Sequence, residues 1–132
     1  MAITKDANVQ AVVSKTVSIN LADVTTGVDY EAMDLPPNSV IQSGDLYTTE
    51  AWNSTTSDVL DVGDAVSQNR YLNDGNIRTL AARVPLVPTG FVHPGGALTV
   101  RWVSGGGTPT TGKVRLTVSY IQLGKSIATY EA

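Results

Sequence analysis

The sequence predicts an all-β fold: an antiparallel two-sheet sandwich of the jelly-roll kind, with extended N- and C-terminal segments. Three observations carry this. Apolar and polar residues alternate with period two in several segments, the mark of strands with one buried face. Glycine, proline and asparagine clusters punctuate the chain between those segments. No stretch shows the apolar spacing of an amphipathic helix of useful length.

The elements follow in order. Val13, Val17, Ile19 and Leu21 alternate with Ser14, Thr16, Ser18 and Asn20, and Lys15 interrupts the apolar set where that face is expected to reach solvent. Thr25-Thr26-Gly27 reads as a turn, and the strand from Val28 to Leu35 ends at Pro36-Pro37-Asn38. Neither proline can donate to a ladder, so the strand must stop there. Ser39 to Thr49 reads as a long strand with Ile41 and Tyr47 on one face and Val40 and Leu46 on the other. Gly44-Asp45 in its middle predicts a bulge or bend. A polar loop from Trp52 to Ser57 precedes the short apolar run Val59, Leu60, Val62. Ala65 to Asp74 reads as an irregular excursion, and Ile77 to Val84, bounded by Pro85 and Pro88, as an edge strand. After the His93-Pro94-Gly95-Gly96 turn come two strong strands, one with Leu98, Val100 and Trp102, the other with Val114, Leu116, Val118 and Tyr120. The total is about seven or eight strands, the pattern of sandwiches and jelly rolls.

The 132 residues are expected to form one domain, with residues 1–12 as an N-terminal arm and 125–132 as a C-terminal tail. A chain of this length buries roughly two thirds of its unfolded surface, so it needs no staple, and with no cysteine it has no disulfide. The formal net charge of −3 and the scattered cations argue against nucleic-acid binding, which needs a basic face. Met1 to Asp6 lacks the apolar run of a signal peptide, and no stretch approaches the ~20 apolar residues of a membrane helix. The expected site of synthesis is therefore a cytoplasm. Only 16% of residues are charged, which suits a surface that packs against other molecules as well as a β-fold rich in Thr and Ser.

No residue set points to catalysis. The lone histidine, His93, reads as a solvent-exposed turn residue. Gly107-Thr108-Pro109-Thr110-Thr111-Gly112-Lys113 matches part of a phosphate-binding loop, but Val114 stands where that motif needs Ser or Thr, and a strand follows where it needs a helix. It reads as a β-hairpin loop. Asp58, Asp61 and Asp64 are spaced wrongly for a standard calcium loop and read as turn-capping carboxylates. The expectation is a non-enzyme without metal or cofactor. Trp52 and Tyr71, placed in loops, are the aromatics expected to be free for a partner. Ile3, Lys5, Val9, Ile127 and Tyr130 in the two end segments complete the candidate partner contacts.

One longer pattern is informative. Leu35-Pro36-Pro37-Asn38-Ser39-Val40-Ile41-Gln42-Ser43-Gly44, then Trp52-Asn53-Ser54-Thr55-Thr56-Ser57-Asp58-Val59-Leu60-Asp61-Val62-Gly63-Asp64, then Gly112-Lys113-Val114 and Val118-Ser119-Tyr120-Ile121, resembles the capsid decoration, or cement, proteins of tailed bacteriophages. The resemblance covers most of residues 28 to 124. It implies a jelly roll on the outer capsid surface of a virion, made in a host bacterial cytoplasm, that rivets neighbouring major capsid proteins together. It also implies a homo-oligomer, dimer or trimer, whose end segments wrap or pair with neighbours. It transfers no functional residue one by one. The alternative expectation is a receptor- or glycan-binding β-sandwich of a phage tail or fibre, using exposed Trp52 and Tyr71.

Overall fold

The computed structural model describes residues 8–124 and 128–129. Its strands are β1 (Asn8–Val9), β2 (Val13–Asn20), β3 (Asp29–Leu35), β4 (Ser39–Glu50), β5 (Asp58–Asp64), β6 (Leu72–Asn76), β7 (Arg83–Pro85), β8 (Val92–His93), β9 (Gly96–Ser104), β10 (Lys113–Gln122) and β11 (Ala128–Thr129). A single 3-10 turn, Leu21–Asp23, follows β2. The predicted irregular excursion holds the start of a strand, β6, that the sequence pattern did not reveal. The edge strand expected over 77–84 shrinks to the short β7, Arg83–Pro85, the residues in register with Asp45 to Tyr47 of β4.

Two antiparallel sheets face each other. The first runs β2-β10-β4-β7, with β8 also pairing β4, and the second runs β3-β9-β5-β6. Successive strands cross between the sheets: β2 lies in the first, β3 in the second, β4 in the first, β5 in the second. The return half of the chain, β9 then β10, inserts between strands of the outgoing half. That nesting of outgoing and returning strands is the jelly roll. It corrects one expectation: the Gly105–Gly112 connection is not a hairpin loop, because β9 and β10 belong to different sheets and the loop crosses the end of the sandwich.

The core is what alternation requires. Val114, Leu116 and Val118 are fully buried, and Tyr120 nearly so, while Lys113 and Arg115 stay outside. Each such aliphatic side chain contributes about 1.5–3 kcal/mol on burial. They meet Leu60, Val62, Leu98, Val100 and Trp102 of the facing sheet in one continuous cluster.

In β4 the simple period fails, for an identifiable reason. Ile41 and Leu46 are both buried although one has odd and the other even parity along the strand. A register shift opposite Ser119/Tyr120 makes the strand skip a residue at Gln42, so the inward set is Ser39 and Ile41 before the bulge and Leu46 and Thr48 after it. An extra residue reverses the parity of every side chain beyond it. Gly44 lies just past the bulge, where a Cβ would sit 2.6 Å from the Thr117 carbonyl oxygen and 2.7 Å from Leu86 Cδ1. The glycine is there for close approach, and the bulge precedes it.

Candidate interaction surface

The residues that looked most like chemistry are structural. Asp58 is fully buried at the start of β5. Its Oδ1 accepts from Ser54 Oγ at 2.6 Å and Trp102 Nε1 at 2.9 Å, and its Oδ2 accepts from Ser54 N at 3.0 Å and Arg78 Nη1 at 3.4 Å. Asp61 Oδ1 accepts from Asp74 N at 2.7 Å. Asp64 Oδ1 accepts from Val66 N and Ser67 N, while its Oδ2 takes Arg70 Nε at 2.6 Å. Burial opposes ionisation of Asp64, yet Arg70 and the two backbone N–H groups outweigh it and hold the carboxyl below its ordinary range. These carboxylates cap turns and tie loops to strands, as turn-capping acids do. Among the described residues no three His, Asp or Glu side chains are grouped to hold a metal ion.

Three expectations need correction. Trp52 and Tyr71 are each only 1% exposed, so neither side chain is presented to a partner. Trp52 tilts against Trp102 at 5.2 Å between ring centroids and lies under Gly112. The loop carrying it is folded inward by the Asn53 side chain, whose Oδ1 accepts from Thr110 N and Thr111 N. Tyr71 is held between the sheets by Tyr71 N to Val62 O and Val87 N to Tyr71 O. Burial first, then the nearby Asp64, raises its hydroxyl pKa. His93 is also buried, at 3% exposure. It pairs with Ser39 in β8, and its Nδ1 accepts the Gly95 N–H at 3.1 Å, so the turn folds over the ring. Polarity and turn composition place a residue in a loop without saying whether that loop packs on the core.

Of the end-segment candidates, Ile3, Lys5, Ile127 and Tyr130 lie outside the described residues. Val9 is half-buried in β1, which pairs antiparallel with β11 through Asn8↔Thr129 and Val9↔Ala128. The two ends of the chain thus meet in a short ribbon.

The surface feature that sequence reading missed is an apolar band on the outer face of the first sheet. Tyr120, Ile41 and His93 point inward, so their neighbours Ile121, Val40 and Val92 point outward. The register aligns these three across the sheet, Ile121↔Val40 and Val40↔Val92. Val12, just before β2, is 62% exposed, Val92 43% and Leu123, just after β10, 40%. The next outward row is Ser14, Ser119 and Ser43, and the one after it begins Thr16 and Thr117. Ser14 and Ser119 hydroxyls bond at 2.7 Å. Val12 and Leu123 adjoin the segments that lead to β1 and β11. Parity counting could have found this band had the β4 bulge been placed correctly.

A concavity of about 140 Å³ opens beside β8, lined in part by Val66, Phe91, His93 and Ala97. Arg70 lies 3.6 Å above the Phe91 ring centroid. Its charge is already engaged by Asp64, and Val66 at the rim is 87% exposed. These groups can pack an apolar side chain; they include no free base or nucleophile.

What the fold and this surface define is a jelly-roll sandwich with an uncharged apolar outer band and no assembled reactive centre among the described residues. No known protein family matches the sequence, and no curated protein does. Solved structures match it in shape. A chain of the cyanophage Pam1 capsid asymmetric unit superposes with a TM-score of 0.67 at 21% identity, covering 92% of this chain and 91% of that one. A chain of the acid-stable capsid of Helicobacter pylori bacteriophage KHP30 gives 0.67 at 16% identity, covering 93% and 98%. One from the capsid of Ralstonia phage GP4 gives 0.63 at 19% identity, covering 96% and 92%. At such identities the likeness is one of fold.

Proposed function

We propose that this protein is a structural component of a bacteriophage virion, a decoration protein that binds the outer capsid surface and cements neighbouring major capsid proteins. The observation that carries the reading is the match, over more than nine tenths of both partners, to chains from three phage capsids. The outer band of Val12, Val40, Val92, Ile121 and Leu123 supports it physically. A shell-binding protein needs an apolar patch that excludes water at low desolvation cost, and two successive rows here hold no ionisable group. The pairing of the two chain ends beside that band supports a role for the end segments in the same contact. The glycan-binding alternative loses its basis, since the aromatics it relied on are buried.

The test is reconstitution. Purified protein added to expanded capsids lacking it should bind saturably and raise their disruption temperature. Val92→Asp combined with Val12→Asp, both at exposed positions, should abolish binding without unfolding the protein. Saturable binding that leaves the disruption temperature unchanged would overturn the cementing role. Light scattering of the free protein reports whether it is a dimer or trimer before it reaches the shell.

A further inference from the structure

The outer face of the second sheet is acidic, and a bulge shapes it. In a regular strand, residues three apart point to opposite faces. β3 is not regular: its register runs Glu31↔Thr99 and then Met33↔Leu98, so Ala32 is an extra residue. Ala32 and Met33 both pack against the core, and Glu31 and Asp34 are both left exposed on the outer side. Here lies a notch of about 180 Å³, lined by Glu31, Ala32, Met33 and Asp34.

The charge around the notch is of one sign. In the neighbouring row Asp29, Arg101 and Asp61 lie side by side across β3, β9 and β5. Asp74 adjoins them, its backbone N–H donating to Asp61 at 2.7 Å. Arg101 is the only cation in the four strands of this sheet, and it is committed to Asp29 at 2.7 and 3.1 Å. Lys15 reaches Asp34 from the other sheet but bonds its backbone carbonyl. The Glu31 and Asp34 carboxylates join no ion pair among the described residues.

An independent observation points to a ligand at the same place. Thr99 stands beside Glu31 in register and turns outward between the core residues Leu98 and Val100. It is 8% exposed, and its hydroxyl oxygen has no hydrogen-bond partner. Such a buried group is rare in a folded protein and calls for an explanation. A cationic N–H donor seated on Glu31 supplies one.

We infer that this notch seats an arginine or lysine side chain from a basic surface of a second capsid subunit, while the apolar band holds the first. The inference rests on the cementing reading and deepens it. The band and the notch lie on opposite sheets of the sandwich. A protein with one adhesive face decorates a shell, whereas joining two neighbours takes two. Charge-assisted hydrogen bonds, bidentate for arginine, fix the second contact. Matched charge selects the partner and its register.

The test compares the parent with Glu31→Gln combined with Asp34→Asn on expanded capsids lacking the protein. Both positions are exposed, so the free variant should melt as the parent does. The variant should still bind saturably through the band, but about tenfold more weakly, and should lose most of the rise in disruption temperature. Parent binding should weaken as salt is raised, and variant binding should depend less on salt. Glu31→Lys alone should act in the same direction. A variant that binds and cements as the parent does overturns the inference and leaves the virion reading standing. So does a variant whose one defect is lost self-association, since a second copy would then occupy the notch. A parent that does not bind capsids at all overturns both.

Discussion

Replacing Asp58 tests whether this carboxylate is a structural staple. It is fully buried and accepts four hydrogen bonds, from Ser54 N, Ser54 Oγ, Trp102 Nε1 and Arg78 Nη1. In Asp58→Ala the Ser54 hydroxyl can still turn to Ser104 Oγ, 2.8 Å away. Ser54 N and Trp102 Nε1 are left without an acceptor, and each stranded buried donor costs about 1–3 kcal/mol. Arg78, a third exposed on its side chain, loses its partner but keeps the Ser54 carbonyl at 2.6 Å. The sum is about 3–5 kcal/mol, the range for breaking a buried ionic network. With an unfolding entropy of about 2.1 cal/mol/K per residue over 132 residues, this corresponds to a fall in Tm of roughly 10–18 °C. Asp58→Asn keeps one acceptor oxygen but turns an NH2 toward a donor, so it should cost roughly 2 kcal/mol. Urea unfolding at pH 7 reads both values, with Trp52 and Trp102 as adjacent fluorescent reporters. An Asp58→Ala protein within about 1 kcal/mol of the parent would refute the staple and return Asp58 to the candidate functional groups.

Other expectations follow from the same packing. Trp52→Ala should lower stability by about 3–5 kcal/mol in calorimetry, because it empties a core site against Trp102. Since Asp64 is held below its ordinary 3.8 by Arg70 and two backbone N–H groups, its contribution to stability is present above that pH and is lost as pH falls through its lower folded value. Asp64→Asn should therefore flatten the acid limb of the stability profile, below about pH 4, in denaturant titrations. Gly63→Ala should destabilise by more than about 1 kcal/mol, the typical cost of a point substitution, because the added Cβ would overlap the Ser67–Gln68 backbone that lies on β5. Thermal melts showing no change would mean that this excursion can lift away.

Much of the fold was legible one strand at a time. In β10 the alternation of Val114, Leu116, Val118 and Tyr120 with Arg115, Thr117 and Ser119 specifies both the strand and its buried face, because side-chain period is a local property of extended backbone. β4 shows the limit. Its bulge at Gln42 is set by pairing with β10, so counting along β4 alone puts Ile41 and Leu46 on opposite faces when both are core. The short β6 was hidden for the same reason. Asn73, Asp74 and Gly75 supply no apolar rhythm, and only pairing with β5 makes this segment a strand.

The sequence by itself determined the all-β class, the low surface charge, and the absence of cysteine chemistry, all of which depend on composition and local period. Tertiary structure decided where the loops go. Trp52, Tyr71 and His93 sit in polar or turn-rich sequence, yet the folded chain closes over them, because a loop that crosses the end of a sandwich must cover the core there. It also decided which outward residues become neighbours. Val40, Val92 and Ile121 are far apart in the chain and become one apolar band only through the register of β4, β8 and β10. Surfaces of this kind are made by pairing, and no single segment carries their pattern.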